Sequence, residues 1–355
     1  MDKKKIHHCI RYGISKKRLC LLSLIMFFSV YGVSAKTLGN KMDKKQSSLC
    51  TEIKYSCPMD QSEQPAMIYK SNLSGARPLL VALHTWSANY QNGGENYATL
   101  CAKKGWHLIY PDFRGPNWTP QALGSELMVG DIVAAVEYMK TQVEVDESRI
   151  YLIGGSGGGH AALLLAGRHP EIWAAVSAWC PISDVERWHQ HHGSKGYGMH
   201  IEKACGGNPA TDENARAEAL KRSPITYLKN AQKIPVDIAT GIHDGHTGSV
   251  PIDHSLNAYN LLAVSEDRFQ PEEIKFLVEK EAVPSTIAAP EQDKSYGKIK
   301  LHVRRNSQNV RVTIFEGGHQ SLANIGIEWL AQQRKGKTAD WSAVKVKAEV
   351  IELTK

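Results

Sequence analysis

From residue 49 onward the chain alternates short apolar runs with longer stretches of mixed polarity. The runs at 49–57 and 65–70, then PLLVALH (78–84), WHLIYPD (106–112), RIYLIGG (149–155), WAAVSAWC (173–180), VDIATG (236–241) and VRVTIF (310–315), have the length of strands. Between them, Leu127, Ile132, Val133, Val136 and Met139 recur at helical spacing, and HAALLLAGRHP is a helix closed by glycine and proline signals. Strands that are apolar on both faces and separated by helices predict an α/β fold with a mostly parallel central sheet and helices on both faces. Two stretches break the rhythm. Residues 181–234 are polar and rich in aromatics and histidine, and read as a cap insertion over a site. Residues 265–300 are charged, with a helical piece around PEEIKFLVEKEA, and read as surface decoration.

The first 35 residues read differently. A basic stretch precedes LCLLSLIMFFSVYGV, and Val33-Ser34-Ala35 offers small residues for cleavage, the pattern of a secretory signal peptide rather than of an uncleaved anchor. The expected parse is 1–35 signal peptide, 36–77 N-terminal segment and first strands, 78–335 core with the cap, and 336–355 C-terminal extension. The protein is then secreted or periplasmic, with no stable membrane span after signal removal. Charge follows the same division. Residues 1–35 hold seven Lys/Arg and one Asp, so removing them takes the formal +7 to about +1 and leaves no electrostatic case for a nucleic-acid partner. Cys50, Cys57, Cys101, Cys180 and Cys205 remain. Cys50 and Cys57 flank a strand of about 23 Å at ~3.3 Å per residue, too long to bridge. Cys180 with Cys205 is the pairing expected in an oxidising compartment.

The stretch IYLIGGSGGGHAALLLAGRHP (150–170) carries the chemistry. Gly154-Gly155-Ser156-Gly157-Gly158 satisfies G-x-S-x-G between a strand and a helix. On so sharp a turn the flanking chain crowds the serine, and glycines two before and two after relieve the clash and expose Oγ. A phosphate-binding loop is the competing reading. It lacks both the acid about 20 residues on and the Lys-Ser/Thr of a P-loop. A serine nucleophile needs a base, and the base needs an orienting acid. Asp244 follows VDIATG and His319 follows VRVTIF, giving the order Ser, Asp, His with each at a strand's end. Asp184 is the rival acid, His160, His243 and His246 are rival or supporting histidines, and Asp253 reads as a helix N-terminal residue. Two N–H groups for the oxyanion are expected from Gly157 and from the loop after PLLVALH, through Trp86 or Thr85.

These residues resemble the α/β-hydrolase superfamily, specifically secreted esterases and the catalytic domains of prolyl oligopeptidase-like enzymes. The resemblance covers about 78–330 and rests on ALHTW, YPDFRG, GGSGGGH, GIHDGHTGSVP and FEGGHQS. It implies the α/β-hydrolase fold and a serine hydrolase with catalytic Ser156, Asp244 and His319. The chain departs from a common pattern at His84-Thr85, where His-Gly is usual. Oligopeptidases of this kind carry a β-propeller ahead of the hydrolase domain, and the short 36–77 segment leaves no room for one, which favours an esterase. Thr85, Trp118, Trp179 and Trp188 are expected to bind substrate, indoles stacking on sugar rings or aromatic acyl groups. WHQHH (188–192), with His200, lacks the spaced third ligand of a metal site. The expectation is therefore an ester hydrolase acting on small-molecule or oligosaccharide esters with no cofactor and no metal. A serine peptidase is the first alternative, and a non-catalytic carbohydrate-binding protein on a hydrolase scaffold the second.

Overall fold

The computed structural model describes residues 48–353, so the signal-peptide reading of 1–35 lies outside the described residues. Among those residues, strands β1 (Thr51–Ser56), β2 (Glu63–Tyr69), β3 (Arg77–Leu83), β4 (His107–Pro111), β5 (Val145–Gly155), β6 (Ala175–Trp179), β7 (Val236–Gly241), β8 (Leu301–Ser307) and β9 (Val310–Phe315) form one sheet. Its order is β1-β2-β4-β3-β5-β6-β7-β9-β8. From β4 to β9 every neighbouring pair is parallel, while β1, β2 and β8 join antiparallel at the two edges.

The helices are α1 (Gly94–Lys104), α2 (Glu126–Gln142), α3 (Gly157–Arg168), α4 (Val185–His192), α5 (Tyr197–Cys205), α6 (Glu213–Lys221), α7 (Asp253–Leu262), α8 (Pro271–Lys280) and α9 (Ala323–Gln332). They cover both faces because the central strands require it. Leu79, Val81 and Leu83 of β3 pack with Ile132 of α2, Leu163 of α3 and Leu256 of α7. Leu80 and Ala82, one residue out of phase, pack with Cys101 of α1 and Ile327 and Leu330 of α9 on the other face. Replacing a fully buried leucine such as Leu163 by alanine costs about 2–5 kcal/mol by lost transfer energy and cavity formation.

Insertion 181–234 folds as α4, α5 and α6, with their own small core of Val185, Trp188, Ile201, Ala204, Ala215 and Ala219. Trp86, from the loop after β3, joins that core, so the insertion is seated on the expected oxyanion loop. Asp253 is the first residue of α7, as read from the sequence.

Two expectations are corrected. Cys180 and Cys205 are not bridged; all five cysteines between 50 and 205 are free and buried. Cys180 ends β6 beneath the site, hydrogen-bonded through Sγ to the Gln320 carbonyl, whereas Cys205 closes a helix of the insertion. The charged stretch 265–300 leads into a strand that was not anticipated, β8. Its sequence LHVRRNS is polar because this edge strand is only partly covered: Leu301, Val303 and Ser307 are buried, His302, Arg304 and Arg305 are half-buried and Asn306 is exposed.

The insertion is anchored through two buried histidines. His160 of α3 places Nε2 2.8 Å from the Arg222 carbonyl, just beyond α6. His254 of α7 accepts through Nδ1 from the Ser183 amide at 3.2 Å. Burial pushes both pKa values down to about 4. In the unfolded chain each titrates near ~6.5, so as pH falls the unfolded state takes up protons first. The stability these rings contribute is complete above ~6.5 and is lost as pH falls toward 4. Urea unfolding at pH 7 and pH 5 should show a fall of about 2 kcal/mol per histidine. In His160→Gln, which cannot ionise there, that fall should be smaller by about 2 kcal/mol even though the variant is less stable throughout.

Candidate active site

Parallel strands carry their loops to one edge, and the four that matter here are neighbours. Ser156 follows β5, Cys180 follows β6, Asp244 lies just past β7 and His319 just past β9, in the sheet order β5-β6-β7-β9. The strand order also reverses around β3, so the loop after β3 comes to lie beside the loop after β5.

Ser156 has φ 56 and ψ −120, a left-handed conformation costly for a residue with a side chain. It is held there by backbone: its amide donates to the Trp179 carbonyl at 2.8 Å, and its carbonyl accepts from the His160 amide at 2.9 Å. The neighbouring glycines are explained by distance. A Cβ on Gly154 would lie 2.3 Å from the Gly158 carbonyl oxygen, and one on Gly158 would lie 2.3 Å from that of Leu83. At Gly157 it would lie 2.6 Å from the Trp86 nitrogen. The Trp86 backbone thus packs directly against Gly157 at the N-terminus of α3, where the helix dipole favours negative charge.

The loop after β3 is fixed by His84, whose ring lies with Nε2 2.8 Å from the Asp112 carbonyl and Nδ1 2.9 Å from that of Thr85. Phe113 stacks on the same ring at 3.9 Å, which ties the β3 loop to the β4 loop.

Asp244 and His319 are joined by a 2.7 Å hydrogen bond between Oδ2 and Nδ1, and both are buried. The other carboxylate oxygen, Oδ1, accepts from the amides of Gly245 at 3.0 Å and Val250 at 3.1 Å. His319 Nε2 is buried with no partner among the described residues. Ser156 Oγ makes no hydrogen bond to it here. What brings the two sides together is the segment near residue 353. β11 (Ile351–Glu352) pairs with β10 (Gln320–Ser321), directly after the histidine. The Leu353 amide then donates to the His319 carbonyl at 3.0 Å, and its side chain stands 2.7 Å from where a Gly155 Cβ would be. One residue thus touches both the base and the residue before the serine.

The remaining candidates sort clearly. Asp184 N-caps α4, accepting from the Arg187 amide, and does not reach His319. His243 is bound on both sides, to Glu281 and Glu316, and these carboxylates raise its pKa. His246 contacts the Val278 carbonyl. Among the WHQHH residues, His189 pairs with Glu202 and His192 with the Ser249 carbonyl. Of the described residues, only Cys180, Asp244 and His319 group closely enough to hold an ion, and there the carboxylate and imidazole already bind each other.

The aromatic expectations need correction. Trp179 is 1% exposed on the far face of the sheet, bonded to Ser177 and packed on Phe315, so it has no route to substrate. Successive residues of a strand point to opposite faces, and Trp179 takes the face toward α9. Trp188 is fully buried inside the insertion, edge-on to Trp86 at 4.7 Å, with Nε1 on the Ser249 carbonyl. Trp118 is half-buried beside His200 at 5.0 Å, and His200 accepts from Trp86 Nε1. Thr85 borders a cavity of about 510 Å³ shared with Ser87, Tyr97, Gly155, Ser321 and Leu353.

Residues 95–281, more than half of the chain, match the prolyl oligopeptidase family model. The chain belongs to that family. Among its relatives, the probable acetylxylan esterase A of Aspergillus fumigatus is 26% identical over 168 residues, which are 44% of this chain and 45% of that one. The acylamino-acid-releasing enzyme of Rattus norvegicus is 28% identical over 182 residues, 46% of this chain and 23% of that one. This member of the family therefore spans less than half the length of either relative. The fold is likewise that of prolyl oligopeptidase B from Galerina marginata, with a TM-score of 0.50 at 16% identity over 60% of this chain and 31% of that one.

Sequence reasoning passed over two residues of the site. Leu353 carries no motif, because its role arises from the pairing of β11 with β10. Asn117, in the GPNW turn after β4, is fully buried beside Gly157 and Trp86. The tight Gly157–Trp86 approach generates a prediction. Gly157→Ala places a methyl on the Trp86 amide and must push the β3 loop away, so kcat for a p-nitrophenyl ester should fall by about 10²–10³-fold. Lys275→Ala, at a side chain 74% exposed on α8, serves as the control and should keep its kcat.

Proposed function

We propose that this chain is a serine hydrolase that cleaves carboxylic esters through an acyl-enzyme, with acylated carbohydrates as the substrate class. The observation that carries the proposal is the buried Asp244–His319 pair, set two and three strands from a serine held in a strained, glycine-flanked turn. In this reading Ser156 Oγ attacks the acyl carbon while His319 Nε2, which has no other partner, takes its proton. Asp244 holds the ring so that Nδ1 faces the carboxylate, and it stabilises the imidazolium that forms. The amides of Gly157 and Trp86 receive the developing oxyanion. His319 then gives its proton to the departing alcohol, and water repeats the sequence to release the acid. Thr85 and Trp118 line the approach. Nothing in these steps calls for a metal or a cofactor.

The ester assignment draws on the acetylxylan esterase among the relatives. Export to a secreted or periplasmic location follows from the reading of residues 1–35. No helix of the described residues is long and apolar enough to cross a membrane. A second reading, an oligopeptidase or acylaminoacyl-releasing activity, is favoured by the relative from Rattus norvegicus.

Active-site labelling with a fluorophosphonate should mark the parent and leave Ser156→Ala blank, with turnover of p-nitrophenyl acetate falling on the order of 10⁴-fold or more. Asp244→Asn should fold normally, yet lose about 10⁴-fold in kcat. Acetylated and feruloylated oligosaccharides, set against aminoacyl amides, then separate the two readings by their kcat/KM. Labelling and turnover that survive in Ser156→Ala would sink the mechanism.

A further inference from the structure

Asn117 presents a problem of accounting. Its side chain is fully buried, yet neither Nδ2 nor Oδ1 finds a partner among the described residues. Buried amides without partners are costly and uncommon, and one that persists calls for a reason. Its position suggests the reason. The Asn117 backbone amide donates to the Trp86 carbonyl at 2.8 Å, which fixes the residue against the oxyanion loop. Its Nδ2 lies 3.1 Å from where a Gly157 Cβ would be, on the same side as the Trp86 nitrogen at 2.6 Å. Nitrogens from three different loops therefore lie together at the start of α3: Gly157 after β5, Trp86 after β3 and the Asn117 side chain after β4. The first two are the pair expected to hold an oxyanion. The third is the one whose hydrogen-bonding capacity the folded protein leaves unused.

We infer that Asn117 is a further catalytic residue, its Nδ2–H₂ donating to the substrate's carbonyl oxygen as that oxygen becomes an oxyanion. This rests on the serine-hydrolase reading above. When Ser156 Oγ bonds to the acyl carbon, its proton passes to His319 and the C=O π pair moves onto oxygen. That oxygen then accepts from Gly157, Trp86 and Asn117. On collapse the C=O bond re-forms, the C–O bond to the alcohol breaks, and His319 protonates the leaving oxygen. A neutral carbonyl accepts weakly and an oxyanion strongly, so the Asn117 contribution falls on kcat rather than KM.

An amide kept for catalysis and one kept for structure give opposite results. Asn117→Leu and Asn117→Ala are compared with the parent for kcat and KM on p-nitrophenyl acetate, for Tm, and for fluorophosphonate labelling. Catalytic use predicts a fall in kcat of about 10²-fold with KM within threefold. It also predicts a Tm unchanged or raised in Asn117→Leu, because an unsatisfied buried amide has been exchanged for an apolar group of similar size. A kcat within twofold of the parent overturns the proposal, as does a Tm lowered in both variants, which assigns Asn117 to the scaffold. Ser156→Ala keeps the two ideas apart. If its activity is lost while the Asn117 variants match the parent, only the Asn117 proposal fails. If Ser156→Ala stays active, the hydrolase reading itself fails.

Discussion

Backbone crowding between the end of β5 and the start of α3 governs this molecule. Within five residues the chain must leave the sheet, turn, and begin a helix that lies against the end of β3, with carbonyl oxygens of Leu83 and Gly158 already where side chains would go. Only glycine satisfies those positions, and the strain is concentrated on the one residue that keeps a side chain, Ser156. Strained backbone costs on the order of 1–3 kcal/mol and survives only where the surroundings leave no alternative. Here both faces of the sheet are filled, so the turn cannot relax without opening the cores on either side. The packing of the whole sheet is thus converted into the strained placement of one serine.

The same constraint shapes everything around the turn. Because α3 sits so close to β3, the amides of Gly157 and Trp86 become neighbours, and the loop after β4 is drawn in through Asn117. On the opposite flank the acid and base loops are held from outside. His243, next to Asp244 in sequence, is gripped by Glu281 at the end of α8 and by Glu316 just before the base loop. Those ion pairs are half-exposed and worth little in stability one by one. Their effect is geometric, since they fix two loops relative to each other without touching the reacting atoms. Leu353 performs the equivalent service between the base loop and Gly155.

How much of this the sequence disclosed depended on the range of the interaction. The central strands were legible because burial on both faces leaves continuous apolar runs, and the serine turn was legible because steric crowding demands glycine at fixed offsets. Asp244 and His319 could be named because a parallel sheet delivers each strand's end to the same edge. Trp179 was misjudged because proximity to that edge says nothing about which face a side chain takes. Edge strand β8 escaped because partial cover lets its half-buried positions carry Arg304 and Arg305. Neither Asn117 nor Leu353 announced itself, for the contacts that define them join loops far apart in the chain.

The insertion after β6 adds a layer that the catalytic strands alone do not need. Ser156, Asp244 and His319 are 3%, 1% and 3% exposed, so the three residues proposed to react stand almost entirely out of water. Exclusion of water strengthens the Asp244–His319 hydrogen bond and any donor aimed at an oxyanion, since both act in a low dielectric. It also makes every unused polar atom there expensive. The helices α4 and α5 place Trp188 and Tyr197 on Trp86, the residue proposed to offer its amide to the oxyanion. Cover and chemistry therefore meet in one residue: the Trp86 ring is the insertion's seat on the sheet, while its backbone faces the serine turn. A displacement of the insertion large enough to unseat that ring would also move the amide, so the apolar packing of the cap and the electrostatics of the site are one structural variable.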